Sequence, residues 1–338
     1  MLITGISNRF YFTNFHSSAG ALLVSRDEAF FLIDFRYYEK AKQVIKGAKT
    51  VLCENLKKQA LEILKKASIE ILFLETDEVS VDTFSALRDT FEGLVVSKDN
   101  KINKAISDLR SIKSKDEIAS IKAAQAITDE SFSYILERIE AGRTEKEIAL
   151  DVEFYARKNG SDGVAFDFIV VSGKNSSLPH GVPTEKRLQK GDFLTMDFGA
   201  RVNGYCSDMT RTVAVGNISN EQKSVYNTVL EAQNAAFSKI KAGAVCRDID
   251  AAARELIYKS GYDGCFGHGL GHSLGIDVHE SPAFNTRDNT PLKSGMIITV
   301  EPGIYLEDKF GVRIEDMVLI TAHGFENLTK SPKNLIIL

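Results

Sequence analysis

From residue 113 to the C-terminus the chain runs through one order of elements twice, and this repeat narrows the possible folds more than any other feature. Ser114-Lys115-Asp116-Glu117 has the spacing of a capping box, the serine accepting from a free backbone N–H while the glutamate reaches back. It opens a helix with Ile118, Ile121, Phe132, Ile135 and Ile139 on its apolar side, expected to close at Gly142. Thr144-Glu145-Lys146-Glu147 repeats the box and opens a second helix that ends near Gly160. Strand-like segments follow from about Val164 to Val215. Ser219 then starts a helix expected to reach Gly243, another ends at Gly261, and strand-like segments continue to Leu338. A helix pair followed by strands, twice over, implies an α+β domain over 113–338, with two similar halves around one curved antiparallel sheet.

Residues 1–112 read differently. "GALLVS" and "EAFFLID" flank Arg26-Asp27 as a hairpin, and "TVLC", "IEILFLE" and "GLVV" read as further strands between amphipathic stretches. This is expected to be a small α/β domain that ends at a break around Ser111–Ser114. Lys and Arg are scattered, the net charge is -4, and no aromatic-basic interleaving occurs, so no nucleic-acid partner is expected. No apolar run approaches the ~18 residues of a membrane span, and the first residues do not read as an export signal. The four cysteines form no CxxC pair, so a reduced, cytoplasmic protein is expected.

The acids of the repeat fall in matched places. In "FLTMDFGARVNGYCSDMTRTVAV" the Asn203-Gly204 pair is a strong two-residue hairpin signal. With those residues as the turn, Asp197 faces Thr210, and Asp208 lies on the same face, diagonal to Asp197 and about 7–8 Å away at the backbone. A register slip of one residue would put the two acids on opposite faces. In "MIITVEPGIYLEDKFGVRIEDMVLI" one strand ends at Glu301 before Pro302, and a returning strand carries Arg313 and Glu315 on one face. Four carboxylates converging on one sheet face repel, and divalent cations neutralise them.

"GHGLGHSLGIDVHESP", from Gly267 to Pro282, holds three of the six histidines. His268 and His272, four apart, share a face in a strand or a helix, and Gly267, Gly269 and Gly271 leave room for close approach. His279 is an odd step from His272 and requires a bend, or serves from another direction. Oxygen donors with one imidazole favour Mn²⁺, with Co²⁺, Zn²⁺ or Fe²⁺ as other candidates.

"SLPHGVP", "MDFGARVNGYCSDMTRTVAVG", "GHGLGHSLGIDVHESP", "VEPGIY" and "GVRIEDMVLIT" together resemble the Xaa-Pro aminopeptidase and Xaa-Pro dipeptidase (prolidase) family of pita-bread metallopeptidases. "SAGALLVSRDEAFFLIDFRYYEKA" is similar to that family's creatinase-like N-terminal domain. The resemblance implies two metal ions per chain, held by Asp197, Asp208, His272, Glu301 and Glu315, with Glu301 also moving the proton. It places His180, His268, His279 and Arg313 on the substrate side, His180 and His279 stabilising the oxyanion or holding the carbonyl, and Arg313 positioning the carboxylates. Cys206 is expected to be a small packing residue. The implied activity is hydrolysis of the N-terminal Xaa-Pro bond of peptides, as an aminopeptidase or alternatively as a dipeptidase, by a homodimer. A binding module that has lost catalysis, or a metal-free amidinohydrolase of the creatinase type, would not need all five ligands. Methionine aminopeptidase resembles only the C-terminal half.

Overall fold

Asn203 and Gly204 both take positive φ, 51° and 80°, the left-handed backbone that lets a two-residue turn follow the twist of its strands. The register this turn sets is the expected one: Arg201 pairs with Cys206, and Asp197 with Thr210. In the computed structural model, which describes residues 1–338, the hairpin divides at Gly199 and Ser207. The tip, Ala200–Val202 with Tyr205–Cys206, joins Gly163–Val164, while Phe193–Phe198 and Met209–Ala214 join Ile169–Ser172 in an antiparallel sheet. Gly199 permits the division, since a Cβ there would lie 1.9 Å from the Ser207 carbonyl oxygen.

The chain forms two units, Met1–Arg110 and Ser111–Leu338. In the first, Ala21–Val24 and Ala29–Ile33 make the hairpin read from the sequence, flanked by Leu2–Ile3 antiparallel and Lys49–Leu52 parallel. Ile71–Phe73 and Val95–Ser97 form a separate parallel pair. The Leu2–Ile3 strand was not legible, because two residues show no alternation.

In the second unit, helices Lys115–Leu136, Glu145–Lys158, Asn220–Phe237 and Cys246–Lys259 pack as two pairs, and three of them begin with capping boxes. Two helices stop earlier than expected. Leu136 and Phe237 are the last helical residues, and Gly142 and Gly243 instead carry the positive φ of the turns that follow. The repeat extends to single backbone bonds: Gly142 N–H donates to Leu188 O as Gly243 N–H does to Leu292 O, both at 2.8 Å. Gly191 and Gly295, at φ 94° and 93°, precede the strands that lead to Asp197 and Glu301.

The second half builds an antiparallel sheet in the order Glu280–Phe284, Gly271–Ser273, Ile297–Val300, Asp316–Ile320, Phe325–Asn327. The returning strand expected here is two strands: Phe310–Arg313 pairs with Gly303–Leu306, and Asp316–Ile320 pairs with Ile297–Val300. Pro302 ends the outgoing strand, and the chain bends between Arg313 and Asp316, carrying Glu315 in the bend. The halves meet here. Glu315 N–H donates to Thr210 O at 3.1 Å, and Thr212 Oγ1 donates to Arg313 O at 3.0 Å. No helix is long and apolar enough to cross a membrane.

Candidate active site

Because the two carboxylate-bearing hairpins meet edge on, their acids face one cavity of about 600 Å³. Asp197, Asp208, His268, His272, Glu301, Arg313 and Glu315 all line it. Asp208, His272 and Glu315 each offer a ligand atom such that the three atoms lie within 4.8 Å of one another. His272 Nε2 is 3.3 Å from Glu301 Oε1 and 3.6 Å from Asp208 Oδ2.

The glycines beside the histidines act unequally. A Cβ on Gly271 would sit 2.0 Å from Thr299 O, so only glycine lets the His272 strand lie against the Glu301 strand. A Cβ on Gly269 would lie 2.9 Å from Phe284 O, whereas one on Gly267 would meet nothing within 4 Å, contrary to its expected role in close approach. His279 reaches the cavity through the bend its spacing required. A β-bulge follows His272, and the chain returns so that the two imidazole rings are 4.3 Å apart.

Burial, followed by the charges of Glu315, Asp197 and Glu301, holds the Asp208 carboxyl well above its usual range. Glu315 is raised likewise by burial and then by Glu301 and Asp197. Burial pushes Glu301 up to about 8, Asp197 adding to the rise and Arg313 opposing it. His272 is lowered to about 4 by burial and then by His279, so its ring is neutral near pH 7. Its Nδ1 faces Ser273 O at 3.2 Å, an acceptor, so Nδ1 carries the proton and the Nε2 lone pair points to the carboxylates.

A divalent metal fits this set. Asp197 Oδ1, Asp208 Oδ1 and Glu315 Oε1 are buried and accept no hydrogen bond. Buried carboxylate oxygens without donors are costly, and a cation shared among them removes the cost. Oxygen donors with one imidazole nitrogen suit hard to borderline ions.

Residues 119–322 match Metallopeptidase family M24, and residues 1–112 match the Creatinase/Prolidase N-terminal domain. The chain belongs to metallopeptidase family M24. It is 42% identical to a solved Xaa-Pro dipeptidase from Bacillus anthracis, with a TM-score of 0.96 over 100% of this chain and 94% of the other. An X-Pro aminopeptidase structure from Thermotoga maritima is 36% identical, with a TM-score of 0.92 over 100% and 97%. An Xaa-Pro dipeptidase from Pyrococcus furiosus is 38% identical over 97% of this chain and 92% of its own length. The M24 chain is therefore a peptidase that works with divalent metal, with a creatinase-type N-terminal domain and a pita-bread C-terminal domain.

The remaining residues of this M24 site divide by what their polar atoms already touch. Arg313, almost fully buried, donates to Asp197 Oδ2 at 2.6 Å, Thr210 Oγ1 at 3.0 Å, Tyr305 Oη at 2.8 Å and Pro179 O at 3.2 Å. His268 has both ring nitrogens engaged, Nδ1 with Gly269 O and Nε2 with Tyr305 Oη, each at 2.8 Å. His180 and His279 are exposed in the cavity wall, and neither ring hydrogen-bonds to the protein. Cys206 is buried, its Sγ donating to Ile276 O.

Several residues escaped the sequence reading. Thr210 Oγ1 donates to Glu315 Oε2 at 2.7 Å, linking the two hairpins. Arg254 on the Cys246–Lys259 helix pairs with Asp250 four residues back and donates to Phe266 O and His268 O, while Leu270 N–H donates to Asp250. That ion pair pins the histidine-bearing segment. Its i,i+4 spacing was visible, but the same spacing marks many surface pairs.

Proposed function

We propose that this M24 enzyme hydrolyses the bond between an N-terminal residue and a following proline. The reading is carried by the convergence of Asp197, Asp208, His272, Glu301 and Glu315, with orphaned carboxylate oxygens, on one cavity. The cavity also has an apolar wall of Phe166, Phe168, Ile169 and Val182, suited to a pyrrolidine ring.

Asp197, Asp208, His272, Glu301 and Glu315 would together hold two ions. Two such ions, Mn²⁺ first among Mn²⁺, Co²⁺, Zn²⁺ and Fe²⁺, supply when bound a water of lowered pKa and a Lewis acid for the carbonyl. Glu301 accepts a proton at its carboxylate and returns it to the leaving nitrogen. That nitrogen carries no hydrogen in an Xaa-Pro bond, so its protonation releases proline as a secondary amine. His180 and His279, with ring nitrogens free of protein partners, donate to the substrate carbonyl oxygen as charge develops there. Arg313 acts on the substrate through Asp197, holding that carboxylate in place.

Of the two forms of this activity, dipeptide cleavage has the broader support. Relatives from Bacillus anthracis and Pyrococcus furiosus carry the name Xaa-Pro dipeptidase. Arg287, exposed in the cavity wall, offers a cation to a free carboxylate close behind the proline. The aminopeptidase form, the first expectation from sequence, is supported by the Thermotoga maritima neighbour. The homodimer implied by the sequence resemblance belongs to the same reading.

Metal-reconstituted protein incubated with Ala-Pro, Ala-Pro-Ala and Ala-Ala-Ala tests the proposal. Ala-Pro should be cut, Ala-Ala-Ala should not, and chelation should abolish the reaction until Mn²⁺ is restored. Equal cleavage of Ala-Pro-Ala would select the aminopeptidase form. Preference for Ala-Ala-Ala would refute proline specificity.

A further inference from the structure

The segment carrying His180 leaves the strand Ile169–Ser172, passes through a short 3-10 turn at Gly173–Ser177 and returns at Thr184. Both of its ends close on a single carboxylate. Glu145, the first residue of the Glu145–Lys158 helix, is fully buried. Its Oε1 accepts from Ser172 N–H at 2.7 Å, Ser172 Oγ at 2.9 Å and Asn175 Nδ2 at 3.1 Å. Its Oε2 accepts from Thr184 N–H at 3.0 Å, Thr184 Oγ1 at 2.6 Å and Asn175 Nδ2 at 3.2 Å. The charge is met by neutral donors, while Lys186 Nζ is directed to Ser172 Oγ and Asp192.

Between those ends the loop has few anchors. Ser176 Oγ accepts from Gly311 N–H at 2.9 Å, and Pro179 O accepts from Arg313. Leu178, His180 and Val182 are exposed. A loop with a solvated crest keeps one path only if its ends are fixed, because each free end restores conformational entropy. Helix capping does not account for Glu145 here, since the capping box of this helix is complete with Thr144 and Glu147.

We infer that Glu145 is a positioning residue of the active site: its carboxylate clasps both ends of the His180 loop and so sets where His180 meets the substrate. The inference rests on the reading that His180 contacts the peptide. A carboxylate is required because every neighbour is a donor. Glutamine would turn one acceptor oxygen into an NH₂ group facing the N–H of Ser172 or of Thr184.

The test uses metal-loaded, full-length protein as wild type, E145Q, T184V, H180A and the E145Q/H180A double variant. Three quantities are read: amide hydrogen exchange over 173–184, metal content, and kcat/KM on Ala-Pro. In E145Q, exchange across the loop should accelerate and kcat/KM should fall by about ten- to a hundredfold, as expected for a displaced active-site group, with metal content unchanged. In the H180A background the same substitution should change kcat/KM by less than about twofold, since the two residues act as one unit. T184V removes one donor and should shift exchange and kcat/KM in the same direction by a smaller factor, which maintains the test if E145Q does not fold.

Equal losses from E145Q in both backgrounds would overturn the inference in favour of a purely structural role. So would unchanged exchange and kinetics in T184V. A wild-type protein inactive on both Ala-Pro and Ala-Pro-Ala would refute the substrate reading instead, and exchange in E145Q and T184V would still decide whether Glu145 holds the loop.

Discussion

Arg211→Met should strike stability and the metal site together. Arg211 lies in the Met209–Ala214 strand, is 1% exposed, and has all five of its N–H groups matched to acceptors. Nε donates to Pro332 O at 3.0 Å, Nη1 to Thr210 O at 2.9 Å and Glu315 O at 2.5 Å, and Nη2 to Asp316 Oδ1 at 2.7 Å and Ser331 O at 2.8 Å. The guanidinium thus joins the carbonyls behind two site residues, one from each half. Methionine fills most of the volume but strands three carbonyls and one carboxylate oxygen, while Thr210 O keeps the N–H of Glu315. Breaking a buried pair by removing one partner costs about 3–5 kcal/mol. Asp316 keeps Lys333 at 2.7 Å and Asn327 at 2.8 Å, which puts the loss near about 3 kcal/mol. For a unit of this size that is a fall in Tm of about 6–12 °C. Differential scanning calorimetry at matched metal concentration measures it, and titration calorimetry should show weaker metal binding because Thr210 and Glu315 lose their common anchor. A Tm within about 2 °C of wild type, with unchanged metal affinity, would refute the reasoning, since so small a shift is below 1 kcal/mol.

Arg313→Ala should fold and bind metal but lose about 10–100-fold in kcat/KM, because Asp197 loses the donor that orients it; unchanged kinetics would remove Arg313 from the mechanism. In chelated protein, Glu301 has its folded pKa raised from an ordinary 4.5 to about 8, and Asp208 and Glu315 move the same way. The stability these groups contribute is complete below the unfolded pKa and is lost as pH rises through the folded one. The Tm of the chelated form should therefore fall between about pH 5 and pH 8 relative to the metal-loaded form, and parallel Tm profiles would contradict it.

Where the code is local, the sequence was readable. The Asn203-Gly204 turn is a two-residue preference, and it correctly set six cross-strand pairs, including Asp197 with Thr210. Capping boxes at Ser114 and Thr144 marked helix starts for the same reason. Helix ends were less legible at Leu136 and Phe237, because the glycines that looked like stops serve turns several residues later. The bend that brings His279 beside His272 was required by parity but not located, since a bulge has no fixed residue signature.

From the sequence by itself came the two-part chain, the doubled helix-pair-and-strands order, and the acids and histidines that share a site. The doubled order and the shared face of the acids follow from periodicity and turn chemistry, which act over a few residues, while the ligand set and the histidine roles are what the family resemblance implied. Tertiary structure alone decided that Thr210 bonds Glu315, that Arg211 staples both hairpins, that Arg254 holds the His268 segment, and that Glu145 closes the His180 loop. Each is a hydrogen bond from a side chain to a partner far along the chain or on another element, made because burial leaves a polar group no water to bond. Residue type announces that such a partner must exist; only the packed fold determines which one it is.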